Sequence, residues 1–146
     1  MYVKEVAASL VAHATEDKSR VVEALKNILP PDLRSRVSVE KRVFRGHHGN
    51  PIELLSVKLV GEHAEKTVRY LASMLTDTDK FMLASSLNLR LNKNSLYLRL
   101  SKQEAYLGRL RLYESDDSIK IVVTFKKSAL REKNVVDILR GLGLVG

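Results

Sequence analysis

The chain has no cysteine among its 146 residues, so disulfides, zinc–thiolate sites and thiol catalysis are excluded. That absence fits a reducing interior. No apolar run approaches the roughly 20 residues of a membrane span. The N-terminus alternates Lys4 and Glu5 with small apolar residues, which is not the pattern of a secretion signal. Also missing are a Walker loop, Gly-x-Gly-x-x-Gly, Gly-x-Ser-x-Gly and His-Glu-x-x-His. Nothing offers a nucleophile with an identifiable base. The pairs Asp77/Asp79 and Asp116/Asp117 read as cap and turn residues. No catalysis and no cofactor are expected.

What is present is a globular composition with an excess of positive charge. Hydrophobic residues make up 45% and charged residues 29%, the balance of a soluble protein, and the length suits one domain over 1–146. The net charge of +8 favours a polyanionic partner, because lysines and arginines that dock on phosphates release counterions. Residues 1–76 carry 12 Lys+Arg against 9 Asp+Glu, and residues 77–146 carry 13 against 8. The charge therefore belongs to the folded part and not to a tail. There is no internal repeat, low-complexity tract or linker.

Hydrophobic periodicity gives the element order. Residues 3–14 alternate, with Val6, Ala8, Leu10 and Ala12 on one side of a strand. Thr15 can cap a helix whose stripe is Val21, Leu25, Ile28 and Leu29, and Pro30-Pro31 ends it. Residues 36–44 and 52–60 read as two strands, with Leu55, Val57 and Leu59 sharing a face and Gly-His-His-Gly-Asn-Pro as the hairpin tip. A helix over 62–75 presents Ala64, Val68, Leu71 and Leu75 on one side. Thr76 opens a second helix over about 78–90 that holds Phe81, Met82 and Leu87. Leu96, Leu98 and Leu100 then alternate in a strand. Ser101 caps one or two helical turns that Gly108 stops. A strand with Leu110 and Leu112 inward follows, then one with Ile119, Ile121, Val123 and Phe125 inward. A final helix uses Val135, Leu139 and Leu142, with Gly141 near its end. The order is β-α-β-β-α-α-β-β-β-α. Short connections between neighbouring strands favour antiparallel pairing. The expected fold is α+β, a mostly antiparallel sheet with helices packed on one face.

Three places could carry function. If the Leu and Ile faces pack against helices, the opposite faces of the last three strands carry Tyr97, Arg99, Arg109, Arg111, Tyr113, Lys120 and Lys126. Arginine and lysine pair with phosphates and tyrosine stacks on bases, although a solvated sheet face whose charges discourage aggregation has the same letters. The turn capped by Ser101 is the second place, where Lys102 and Gln103 sit beside free N–H groups; a connector capped by its own Ser and Glu explains it equally. The third is the tip with Arg45, His47, His48 and Asn50. A metal there would need further ligands, and Glu53 is the one close carboxylate, so no metal is expected. As an RNA contact, the two imidazoles could stack on a base or bind a phosphate.

The segments VAHATED at 11–17, GHHGNPI at 46–52 and LYLRLSKQEAYLGRLRL at 96–112 resemble archaeal proteins described as predicted RNA-binding, exosome-associated subunits. The resemblance runs to about Lys127. It implies a fold similar to ribosomal protein L5, RNA as partner together with proteins of an RNA-processing complex, an archaeal cytoplasm and no membrane. It brings no catalytic residue. His47-His48-Gly49-Asn50 and Lys102-Gln103-Glu104-Ala105-Tyr106 are the matching segments that a pure charge argument would pass over. The leading expectation is a non-catalytic RNA-binding protein acting with RNA-processing or ribosome machinery. Its competitors are a protein–protein adaptor docking through its sheet or edge strand and, third, a small hydrolase with a cryptic site.

Overall fold

Strict alternation at the N-terminus builds the centre of the molecule. In the computed structural model, which describes residues 1–46 and 49–146, β1 (Val3–Ala12) buries Val6, Ala8, Leu10 and Ala12 on one side. Val3 is also buried, out of period with Val6; the register slips between Val3 and Glu5, as a bulge requires. The other strands are β2 (Glu40–Arg45), β3 (Pro51–Val60), β4 (Leu91–Asn92), β5 (Ser95–Leu100) and β6 (Ile119–Phe125). Among the described residues they form one antiparallel sheet of six in the order β2-β3-β1-β6-β5-β4.

Helices complete the fold; most of them cover one face of the sheet, and the core lies between. They are α1 (Lys18–Lys26), α2 (Gly61–Met74), α3 (Asp77–Ser85), α4 (Leu87–Arg90), α5 (Lys102–Tyr106), α6 (Lys127–Glu132) and α7 (Val135–Leu142). α2 lies on β1 and β3, α1 packs on β1 and α5, and α7 packs on α2. Leu25, Ile28, Val68, Leu71, Ile138 and Leu139 meet Leu10, Leu55, Leu98, Ile121 and Phe125 in a closed hydrophobic cluster. Each such side chain contributes about 1.5–3 kcal/mol by leaving water. The α+β class and the face assignments of β1, β3, β5 and β6 agree with the alternation.

Several local expectations are corrected. Thr15 does not cap α1; Asp17 does, accepting from the Ser19 N–H at 3.0 Å, while Glu16 accepts from the His13 N–H at 2.9 Å. The strand expected at 36–44 starts later, at Glu40, because a 3-10 turn at Pro31–Leu33 and an irregular stretch precede it. The helix expected over 78–90 breaks at Ser86, whose N–H and hydroxyl both turn back onto the Met82 carbonyl. The strand expected at 109–113 shrinks to one bridge, Leu112 opposite Leu100. β5 gives its first residues to β4 and its last to this bridge, so neither edge piece is long. Gly141 does lie near the end of α7, as expected, and Gly143, with φ +86°, caps that end. The periodicity also passed over α6 and β4.

At the tip of the β2–β3 hairpin the Gly46 N–H donates to the Asn50 carbonyl at 2.6 Å and the Gly49 N–H to the Gly46 carbonyl at 2.9 Å. Gly49 has φ +78°, which a side chain would strain. His47 and His48 lie outside the described residues, so the expectation placed on them stays with the sequence.

Candidate nucleic-acid interface

The sheet face away from the core is fixed by register. Side chains opposite one another across an antiparallel pair point the same way, so Glu40, Ser56, Ser9, Lys120 and Arg99 form one row across β2, β3, β1, β6 and β5. The next row is Lys58, Ala7, Val122 and Tyr97. Arg99 and Lys120 are therefore direct cross-strand neighbours, with Cα atoms about 5 Å apart. Like charges in this position cost stability unless an anion lies between or over them. Arg99 reaches Asp116 at 3.5 Å, but Asp116 is 98% exposed and water competes for it. Among the described residues Lys120 has no ion pair. Tyr97 stands beside them, 46% exposed.

α3 and α4 turn this face into a cleft. The Thr76 hydroxyl accepts from the Asp79 N–H at 3.1 Å and starts α3. Leu83 is fully buried and fastens the helix to the core. Asp79 is buried too and takes a bond from the Arg111 Nε at 3.1 Å, which ties α3 to the 109–113 segment. In α4, Arg90 bridges the Ser86 hydroxyl at 2.7 Å and Glu114 at 2.5 Å. These bonds hold the opposite side of α3–α4 over the sheet. Phe81, Met82, Ser85 and Leu89 recur at helical spacing and, with Tyr97, Lys120 and Val122, line a cavity of about 850 Å³. Phe81 is 73% exposed and Leu89 84%. The sequence reading placed Phe81 and Met82 in a helix but gave them no role. A signal was present: α3–α4 carries more apolar residues than one face can bury, with Leu83 and Leu87 on one side and Phe81, Met82 and Leu89 on the other.

The remaining expected residues separate into other places. Lys102, Gln103, Arg109, Arg111 and Tyr113 line a second depression of about 780 Å³ between α1, α5 and the 107–117 segment. Its charges are largely matched: Arg109 Nε meets Glu104 at 2.7 Å and Arg111 meets Asp79. Lys102 stands at the start of α5, as expected, but its ammonium is already engaged. It is buried, and its ammonium donates to the Val11 carbonyl at 2.8 Å, Glu16 at 2.9 Å and Asp117 at 2.8 Å. The hydrogen bond from Lys102, outweighing partial burial and helped by the Lys102 charge and His13, holds the Asp117 carboxyl below its ordinary value. His13, Glu16 and Asp117 do bring potential metal-ligand atoms together, yet the Lys102 ammonium already bonds both carboxylates. Arg45 and Asn50 flank the hairpin tip, both exposed. Lys126 lies at the start of α6, where its N–H binds the Tyr2 carbonyl.

The structure thus gathers Tyr97, Arg99 and Lys120 into one cleft and leaves the other described candidates outside it. Among the described residues no helix is long and apolar enough to cross a membrane. A family model described as RNA binding matches residues 5–125. An uncharacterized protein of Methanocaldococcus jannaschii is 32% identical over 127 residues, 85% of each chain. A protein of Pyrococcus abyssi named as RNA-binding is 28% identical over 131 residues, 88% of this chain and 85% of that one. The crystal structure of a protein from Archaeglobus fulgidus superposes with a TM-score of 0.78 at 30% identity, covering 96% of this chain and 99% of that one. With most of its length inside the matched family, and with archaeal relatives that match 85% and 88% of it, the chain belongs to the family described as RNA binding.

Proposed function

We propose that the chain is a non-catalytic RNA-binding protein that seats phosphates on the open face of its sheet, around Arg99 and Lys120. The observation that carries this is the cross-strand pair of cations beside Tyr97, a costly arrangement that a polyanion relieves. The second depression contributes less, because its arginines already have carboxylates, two of them closer than Asp116 is to Arg99. Arg45 and Asn50, which flank the tip of the β2–β3 hairpin, extend the interface at the far edge of the sheet, and the sequence adds His47 and His48 to them. The same reading includes a cytoplasmic setting, work with RNA-processing or ribosome machinery, the exosome first, and a likeness of layers to ribosomal protein L5.

The test compares two double variants. Arg99→Gln with Lys120→Gln should lower RNA affinity about tenfold or more and flatten the dependence on log salt by about 1.5 units. Lys4→Gln with Lys26→Gln removes the same charge elsewhere and should change affinity by no more than about threefold. Equal losses would reduce the protein to a basic surface without a located site. The adaptor reading retains one observation of its own: β2 is an edge strand, and its Val43 and Phe44 are exposed.

A further inference from the structure

Resting on the RNA-binding reading, we infer that the cleft between α3–α4 and the open sheet face takes an unpaired nucleotide, so that the protein selects single-stranded RNA over duplex. Besides three serines and the Arg90–Glu114 ion pair, which is closed on itself, the lining has a cationic part and an apolar part. On one side stand Lys120 and Arg99; among the described residues Lys120 has no ion pair, and the carboxylate that Arg99 reaches is the fully solvated Asp116. On the other stand Phe81, Met82 and Leu89, apolar and open to solvent, facing Tyr97 across the cavity. A phosphate alone accounts for the cations but not for the apolar wall. A purely apolar partner accounts for the wall but would bury Lys120 without an anion, which is costly. A nucleotide has both a π-face and a phosphate, and it satisfies both sides at once.

The strandedness follows from access. In an A-form duplex the bases are stacked and paired, and side chains reach mainly phosphates and 2′-hydroxyls. Aromatic rings set inside a cleft have nothing to stack on there. A splayed base of a single strand can enter, stack on Phe81 or Tyr97, and leave its phosphate at Lys120. At about 850 Å³ the cavity is within the usual range for small-ligand sites. α3 is held in place by Leu83 and by the Asp79–Arg111 bond, so the wall is preformed and does not have to be ordered on binding.

The experiment uses the intact chain and three fluorescein-labelled probes at fixed salt: a mixed-sequence single-stranded RNA 12-mer, the same strand annealed to its complement, and a DNA strand of the same sequence. The single-stranded RNA should bind at least about tenfold tighter than the duplex. Phe81→Ala and Tyr97→Ala should each weaken single-strand binding about 5- to 150-fold, the range of a lost base–aromatic stack, and leave duplex binding unchanged. A second readout needs no variant. Photocrosslinking of wild-type protein to the RNA carrying 5-iodouridine should label the peptides that contain Phe81 or Tyr97. The DNA strand reports whether the 2′-hydroxyl contributes; stacking as the main force predicts binding within about tenfold of RNA. If RNA binds but strand and duplex bind alike, and crosslinks fall outside α3 and β5, the cleft inference is overturned while the RNA-binding reading stands. If neither RNA form binds at low salt, both are overturned.

Discussion

Arg109 and Arg111 are two residues apart and both exposed, yet their partners make them unequal. Arg109 meets Glu104, a carboxylate that water can reach. Arg111 meets Asp79, whose side chain is only 4% exposed. Replacing Arg109 by Gln should change stability by no more than about 0.5 kcal/mol. Replacing Arg111 by Gln leaves a buried carboxylate short of its cation and should cost about 1–3 kcal/mol by urea denaturation. A larger loss for Arg109 than for Arg111 would overturn the buried-partner argument. Glu65 is the matching case at the N-terminus. Burial raises its carboxyl, but the amides of Tyr2 and Val3, at 2.5 and 3.0 Å, the N-terminal ammonium and Arg69 outweigh burial and hold it below its ordinary value. Its contribution to stability is full above the ordinary 4.5 and disappears as pH falls through the lower folded value. Glu65→Gln should therefore cost stability at pH 7 and little at pH 2.

At the scale of elements, α3 has two faces with opposite duties. Leu83→Ala removes a fully buried side chain and should cost about 2–5 kcal/mol. Phe81→Ala, two residues away, should leave the melting temperature nearly unchanged, because its ring is exposed. Equal costs would mean that the wall of the cleft is ordinary core. This helix also marks the limit of reading the chain. Strands were legible because period-two alternation survives every register, as Leu96, Leu98 and Leu100 illustrate. The Thr76 and Ser101 caps were legible because a cap is local. The break at Ser86 was not, since a serine hydroxyl that turns back onto the Met82 carbonyl looks like any helical serine in sequence. Tyr97 and Arg99 were placed outward by parity alone. That Lys120 would stand directly opposite Arg99 was not, because strand order has no local signal. Lys102 misled for the same reason: its partners Glu16 and Asp117 come from distant turns.

For the whole molecule, positive charge has to be separated into what folding uses and what binding uses. Asp17, Asp32, Glu53 and Asp117 are all held below their ordinary values, first by hydrogen bonds from Ser19, Lys66, Lys18 and Lys102 respectively. Each is a depressed carboxylate, so each stabilises the fold above its unfolded value and stops doing so as pH falls through its folded one. As pH falls below the ordinary carboxylate range and through these lower folded values the anions are lost, while all 25 lysines and arginines keep their charge. Self-repulsion then adds to the lost pairs. The protein should unfold on acidification below pH 4, and added salt should shift that transition to lower pH by screening the repulsion. At pH 7 the same salt should scarcely move the melting temperature, since the exposed pairs are worth little singly and the core carries the fold. RNA affinity at pH 7, in contrast, should fall steeply over that salt range. Thermal melts and binding isotherms in one salt series, at pH 7 and pH 3, check both halves. A melting temperature that drops at pH 7 in step with RNA affinity would mean that the cations of the open face hold the fold together, leaving nothing spare on that face for a phosphate.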